Sequence, residues 1–168
     1  MERFYIDKGM IRRANIDEFE VLTEISFDAK RYWNYPQEYY DIWKDELTIT
    51  KNYIESNEVF LFEENNIIKA YYSLIHLEKD LSISGIVLQR GWWLEHMFLR
   101  QYFIKKGIGS QLFDHMIGFL ENKAISKINI LVDPKAAGFY KRMGCDFIEE
   151  YPSSIEGRTT PYYIKRIN

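Results

Sequence analysis

Cysteine is nearly absent from this chain, with Cys145 standing alone among 168 residues. No internal disulfide can form, and the three histidines, His76, His96 and His115, lie too far apart in sequence to give a Cys/His metal-ligand spacing. No metal is expected. A basic excess is also missing: 22 Lys and Arg against 25 Asp and Glu leave a formal charge of -3, which argues against a nucleic-acid partner, whose usual footprint is a basic stripe. No apolar run approaches the ~18 to 20 residues of a membrane span, and the first residues, Met-Glu-Arg-Phe-Tyr-Ile-Asp-Lys, lack a leader-like apolar core. The expectation is a cytoplasmic protein that uses no membrane. Repeats and low-complexity tracts are absent as well.

What is present is a globular composition, 46% hydrophobic and 28% charged. The length suits one domain over residues 1–168 with a sizeable core. Aromatic residues make up 17%, enough to suggest that some of them line a pocket.

The periodicities predict a mixed α/β chain. Met10 to Ala14 reads as a first strand, and Asp17 stands where a helix N-cap is expected ahead of Phe19, Leu22, Ile25 and Phe27. That helix should end near Arg31, and Pro36 favours the first turn of a second helix through Tyr39, Tyr40, Ile42 and Trp43. A further helical piece is expected from about Thr48 to Ser56. Residues 58–63 and 67–78 form a hairpin across Glu64-Asn65-Asn66, where Asn tolerates positive φ. Residues 79–90 read as an irregular connection, and Gly91 to Leu99 as the next strand. Ile108, Leu112, Phe113, Met116, Ile117 and Leu120 then mark the buried face of a helix. Lys127 to Val132 is a strand, Asp133 to Met143 a helix stopped by Gly144, and residues 145–151 and 161–167 are closing strands.

Phe103-Ile-Lys-Lys-Gly-Ile-Gly-Ser110 joins the strand ending at Leu99 to the helix beginning at Ile108. A helix N-terminus leaves several backbone N–H groups unpaired at the positive end of the helix dipole, so an anionic phosphate satisfies both. Gly107 and Gly109 remove Cβ atoms that would hold a ligand away. Alone, such a Gly pair reads as an ordinary turn.

It does not stand alone. Glu95-His-Met-Phe-Leu99, Lys106-Gly-Ile-Gly-Ser110 and Asp133-Pro-Lys-Ala-Ala-Gly-Phe-Tyr-Lys-Arg-Met-Gly144, followed by Phe147, resemble the signature of the GNAT family of acyl-CoA-dependent N-acyltransferases. The resemblance implies a central, mostly antiparallel mixed sheet flanked by helices, with acetyl-CoA as the cofactor. It implies that Lys105, Lys106, Gly107, Ile108, Gly109 and Ser110 cradle the pyrophosphate. A bulged strand would place Met97, Phe98 and Leu99 along the pantetheine arm, with Asp133, Ala136 and Phe139 contributing to the cofactor's surroundings. Ile104 stands where the family often has Gln or Arg, and Asp133 where many members have Asn.

By the same resemblance Tyr140 protonates the departing thiolate, a role that suits a phenol with a reference pKa of about 10. Glu95 is the candidate acceptor of the amine proton, with His96 as its competitor. Simple strand alternation puts Glu95, Met97 and Leu99 on one face and Leu94, His96 and Phe98 on the other.

The family builds its acceptor pocket from the first helices and the last loop, which here supply Phe27, Tyr32, Trp33 and Tyr35, with Glu38 and Asp41 nearby and Ser153, Ser154 and Arg158 opposite. Aromatic faces with carboxylates suit a cationic amine, whereas Arg158 suits a carboxylate or phosphate. The implied partner is a small-molecule amine, and a homodimer is compatible with exposed edge strands. The implied activity is direct acetyl transfer to a primary amine. The rival reading is a non-catalytic acyl-CoA-binding sensor. A generic nucleotide-binding domain fits less well, because neither a full G-x-G-x-x-G nor a P-loop ending is present.

Overall fold

The computed structural model describes residues 8–83 and 85–168. Seven strands form one sheet in the order β1-β2-β3-β6-β7-β9-β8, and β4 and β5 make a separate hairpin. In chain order, β1 (Met10–Arg13) leads to α1 (Phe19–Arg31), α2 (Gln37–Leu47) and α3 (Lys51–Ser56). The hairpin β2 (Glu58–Glu64) and β3 (Ile67–Leu77) follows, then β4 (Leu81–Ile83), β5 (Ile86–Leu88) and β6 (Gly91–Leu99). The crossover runs through α4 (Ile108–Asn122) to β7 (Lys127–Leu131), and α5 (Ala137–Arg142), β8 (Asp146–Pro152) and β9 (Thr159–Arg166) close the sheet.

Local chemistry explains most of these boundaries. Asn65 and Asn66 take φ of 52° and 61°, the left-handed pair that a two-residue hairpin turn demands. Thr50 caps α3, its hydroxyl accepting from the Tyr53 amide at 3.1 Å. Asp17 is not the cap of the first helix: a short 3-10 turn over Ile16–Glu18 precedes α1, and the Glu18 carboxylate reaches back to the Asn15 amide at 2.7 Å. The capping-box chemistry therefore belongs to Asn15 and Glu18. Residues 79–90, expected to be irregular, carry the paired strands β4 and β5, and Ile86 and Leu88 of β5 pack on the cluster of Trp93, Tyr151, Tyr162 and Ile164.

Alternation along the strands sends side chains to two cores. Phe60, Phe62, Tyr72 and Leu74 meet Leu112, Phe113, Met116 and Leu120 of α4, while Val59, Leu61 and Tyr71 meet Leu22 and Ile25 of α1. Burying each such α4 side chain contributes roughly 1.5–3 kcal/mol relative to exposure, which fixes the crossover helix on the sheet.

Two irregularities in β6 prepare the site. Ser73 pairs with His96 but Leu74 pairs with Leu94, so Glu95 is an extra residue, a bulge. On the opposite edge, β7 runs parallel to β6 and pairs with it only at Trp93–Asn129 and Leu94–Ile130. From Glu95 onward β6 has β3 on one side and an open edge on the other. Asn129 closes the base of this opening, donating to the Trp92 carbonyl at 2.9 Å and accepting from Tyr162 Oη at 2.5 Å. Among the described residues, no helix is long and apolar enough to cross a membrane.

Candidate active site

The bulge changes the face assignment that alternation predicts. Leu94, Met97 and Leu99 pack on the α4 side, whereas His96 and Phe98 contact Tyr71 on the α1 side. Glu95 follows them, with its Oε1 3.8 Å from His96 Nε2. One inserted residue shifts the alternation of the strand by one step, so Glu95 and His96 share a face instead of opposing one another.

Their chemistry differs sharply. His96 is 5% exposed; its Nε2 lies 2.7 Å from the Glu46 carbonyl and its Nδ1 2.7 Å from Ser73 Oγ. A carbonyl can only accept, so Nε2 carries the proton and Nδ1 accepts from Ser73. Tyr53 Oη lies 2.9 Å from Ser73 Oγ. Burial takes the His96 pKa down to about 4, so the 3.8 Å approach to Glu95 is not an ion pair. The imidazole is a neutral strut between the end of α2 and the bulge. Glu95 keeps 35% of its side chain accessible. Burial of the rest, with a smaller push from Glu46 and a partial offset from the Tyr53 hydroxyl, raises its pKa to about 7. Of the two candidate bases, Glu95 is accessible and poised.

At the far end of β6 the chain is tied down before it turns. Asp28 accepts from the Gln101 amide at 2.8 Å and from its side chain at 2.9 Å. Lys105 (φ 63°) and Gly107 (φ 84°) then adopt left-handed conformations, and α4 starts without a side-chain cap. The Gln111 amide is the first of the helix to find an acceptor, Gly107 O at 3.2 Å, so the amides of Ile108, Gly109 and Ser110 are open to an anion. A Cβ on Gly107 would meet nothing within 4 Å, whereas one on Gly109 would sit 3.2 Å from the Phe139 ring. Gly109 therefore admits Phe139 rather than giving room for a ligand alone. Lys106 Nζ rests 4.5 Å from the Tyr102 ring centre.

Phe139 and Tyr140 sit on α5, and Ala136 ends the short turn before it; all three pack on the α4 core. Tyr140 is 8% exposed, and burial raises its pKa, helped by Cys145 and Asp133, so it stays protonated at neutral pH. It makes no hydrogen bond to the described residues, yet no buried side-chain oxygen among them lacks a partner. Its hydroxyl therefore reaches accessible space.

Asp133 caps the turn through the Lys135 amide at 3.0 Å, and also holds Lys30 at 2.8 Å and Tyr35 Oη at 2.5 Å. Burial would raise its pKa, but Lys30 first, then Tyr35 and the Lys135 amide, bring it below the ordinary value. Its side chain is thus committed to joining α1 to the end of β7.

Of the aromatic residues expected around the acceptor, Phe27 and Tyr35 join Tyr39, Tyr40, Trp43, Ile155 and Phe98 in one cluster. Tyr32 and Trp33 pack edge-on against each other at 4.7 Å, and the Trp33 carbonyl accepts from Lys135 Nζ at 2.7 Å. Glu38 and Asp41 lie exposed on α2. Ser153 organises its own loop, accepting from the Ile155 amide at 3.0 Å, and Ser154 is exposed. Two other concavities, about 340 Å³ beside Arg13, His76 and Trp92 and about 440 Å³ beside Phe60, His115 and Phe119, include neither Glu95 nor Tyr140. Sequence reasoning missed Lys30, Tyr53 and Ser73 as members of the site, and took Tyr39 and Trp43 only as helix periodicity. The four-residue steps Tyr35, Tyr39, Trp43 were the legible signal of a shared aromatic face.

No curated protein matches the chain by sequence. Solved structures do match its fold. The PaiA N-acetyltransferase of Thermoplasma acidophilum, in complex with coenzyme A, aligns over 95% of this chain and 99% of its own, with a TM-score of 0.73 and 16% identity. A GNAT-family acetyltransferase from Staphylococcus aureus Mu50 covers 95% and 99% at a TM-score of 0.66 and 22% identity. The ribosomal-protein-S18-alanine N-acetyltransferase of Escherichia coli covers 95% and 94% at a TM-score of 0.65 and 15% identity. The family described as "Acetyltransferase (GNAT) domain" matches residues 44–158, a span that includes the bulge, the glycine turn, Tyr140 and Arg158, and the chain belongs to the GNAT acetyltransferase family.

Proposed function

We propose that this protein transfers an acetyl group from acetyl-CoA to the primary amine of a small molecule, by direct attack with both substrates bound. The observation that carries the reading is the pairing of an accessible carboxylate with a pKa of about 7 at the bulge with the open amides of α4 beyond the end of the same strand. The residues fit the cofactor: three free helix amides suit a pyrophosphate, and the unpaired edge of β6 from Glu95 to Leu99 suits the amide groups of a pantetheine arm. Bound there, acetyl-CoA would supply an electrophilic thioester carbonyl and a thiolate leaving group.

The chain's own residues then divide the proton work. Glu95 takes a proton from the incoming ammonium, which is neutral and nucleophilic only once it has lost it. A backbone N–H on the open edge of the Met97-Phe98-Leu99 segment polarises the carbonyl. Tyr140, held protonated by burial, gives its proton to the leaving sulfur, and the second proton that the attacking nitrogen sheds on becoming an amide replaces it. Holding the two substrates together supplies much of the acceleration. Cys145 is no covalent relay, since it is 7% exposed and burial pushes its thiol up to about 11.

The test is calorimetric titration with acetyl-CoA, then thiol release across a panel of amines for wild type and Tyr140→Phe. Binding with amine-dependent release that drops in the variant supports the transferase. Acetyl-CoA binding without release on any small amine or peptide would favour a sensor.

A further inference from the structure

We propose that the acceptor amine carries an anionic group, a carboxylate or a phosphate, and that Arg158 binds it. This rests on the acetyl-transfer reading above and names its substrate class.

Arg158 is held like a binding group. Its guanidinium carbon lies 4.9 Å from the Tyr35 ring centre, 5.4 Å from Tyr39 and 5.9 Å from Trp43. The rings brace each other, Tyr35 and Tyr39 each meeting Trp43 at 5.0 and 5.4 Å. The loop is fixed as well. The Ser153 amide donates to the Arg158 carbonyl at 3.2 Å and the Arg158 amide to the Ile155 carbonyl at 3.1 Å, while Ile155, 4% exposed, plugs the loop into Trp43 and Leu47. Stacking occupies the faces of a guanidinium and leaves its N–H edge free. Five donors are available, yet the side chain makes one long bond, to Tyr35 Oη at 3.4 Å, and pairs with no carboxylate among the described residues.

The surrounding charge points the same way. Lys30, Lys135 and Arg158 all approach the Tyr35 ring, at 5.9, 4.3 and 4.9 Å. Among the described residues, Asp133 is the carboxylate hydrogen-bonded within this group, to Lys30 and Tyr35, and Glu46 also lies within electrostatic reach of Lys30. The balance is positive. At the bulge the sign reverses, for Glu46 stands close enough to Glu95 to raise its pKa. Trp43 and Phe98, 4.7 and 5.8 Å from Lys30, belong to the same aromatic cluster as Tyr35 and Tyr39. A molecule with an ammonium at one end and an anion at the other matches both ends. A polyamine would set its second cation against Lys135 and Arg158.

The test measures thiol release at saturating acetyl-CoA for alkylamines, ω-amino carboxylates of matched chain lengths, aminoalkyl phosphates, spermidine and a C-terminally amidated tripeptide. The expected result is at least a tenfold higher kcat/KM for one anionic series over its uncharged analogue. Arg158→Gln should raise KM for that series roughly 10- to 100-fold, at least tenfold more than for the alkylamine, with a smaller change in kcat. Arg158→Lys should recover part of the loss. Which anionic arm leads separates carboxylate from phosphate. Preference for alkylamine, spermidine or the amidated peptide, or an Arg158→Gln loss equal in all arms, overturns the proposal. Tryptophan fluorescence of the coenzyme A-bound protein, titrated with the same compounds, reads binding without turnover. Arg158-dependent binding of an anionic amine that is never acetylated would sink the transferase reading and keep the anion site; turnover of other amines without Arg158 dependence would do the reverse. Neither binding nor turnover would sink both.

Discussion

Replacing Glu95 with Gln should make the protein slower and, above neutral pH, more stable. Removing a general base costs typically 10²- to 10⁴-fold in rate, about 3–5 kcal/mol of barrier, while the amide keeps the size of the side chain. The pH dependence is more diagnostic. With a pKa of about 7, about half of Glu95 is ionised at pH 7 and about one-tenth at pH 6. The amine's own titration is common to wild type and variant, so the ratio of their rates at saturating substrates isolates the carboxylate. That ratio should fall about fivefold from pH 7 to pH 6 and flatten above pH 8.

Stability runs in the opposite sense. The folded pKa lies above the ordinary 4.5, so the native state binds more protons than the unfolded one between about pH 4.5 and 7. Wild-type stability therefore drops through this window as pH rises. Discounted for the 35% of the side chain that stays accessible, the penalty is about 1–2 kcal/mol at pH 8. Glu95→Gln should recover it at pH 8 and gain nothing at pH 4.5. Denaturant melts at the two pH values, with the rate ratios, check both halves. A variant within threefold of wild type, or a pH-independent ratio, would refute the base assignment.

Tyr140→Phe should lower kcat by about 10²-fold or more with little change in acetyl-CoA binding, read by thiol release and calorimetry. Cys145→Ala should stay active, losing about 1 kcal/mol of stability for the small cavity left; abolished activity in a folded variant would mean a covalent route. Asp133→Ala removes the partner of Lys30, both side chains being under one-sixth exposed at 12% and 15%, and should cost about 3–5 kcal/mol by denaturant melt. Because Lys30 holds the Asp133 pKa below its ordinary value, that contribution is present above about pH 4 and is lost as the pH falls below it. Gly107→Ala should cost about 1–2 kcal/mol, since φ of 84° is the left-handed region, and should weaken acetyl-CoA binding in the same calorimetric titration.

Short-range chemistry was legible in the sequence. The Asn65-Asn66 turn, the strand Gly91–Leu99, the α4 stripe and the glycine turn ahead of it are set by residues within a few positions of each other, so periodicity and φ preference found them. The β4–β5 hairpin was not, because its three-residue strands are too short for a period, β4 is exposed throughout, and the partial burial of Ile86 and Leu88 comes from the distant cluster of Tyr151 and Tyr162. Nor was the side of β6 on which Glu95 lies. Alternation follows from sequence only while the register is unbroken, and the break is defined by pairing with Ser73 and Leu74 on another strand.

By itself, then, the sequence determined the order of the helices and of the seven main-sheet strands, the glycine turn at the start of α4, and Tyr140 and Glu95 as the residues to watch. The tertiary structure decided which of those groups are chemically available. It locked His96 neutral between Ser73 and Glu46 and left about a third of the Glu95 side chain in water. It also brought Lys30 to Asp133 across 103 residues and Arg158 to Tyr35 across 123. Charge and desolvation act through space over a few ångströms, and no local pattern in the chain encodes which distant residues will share that space.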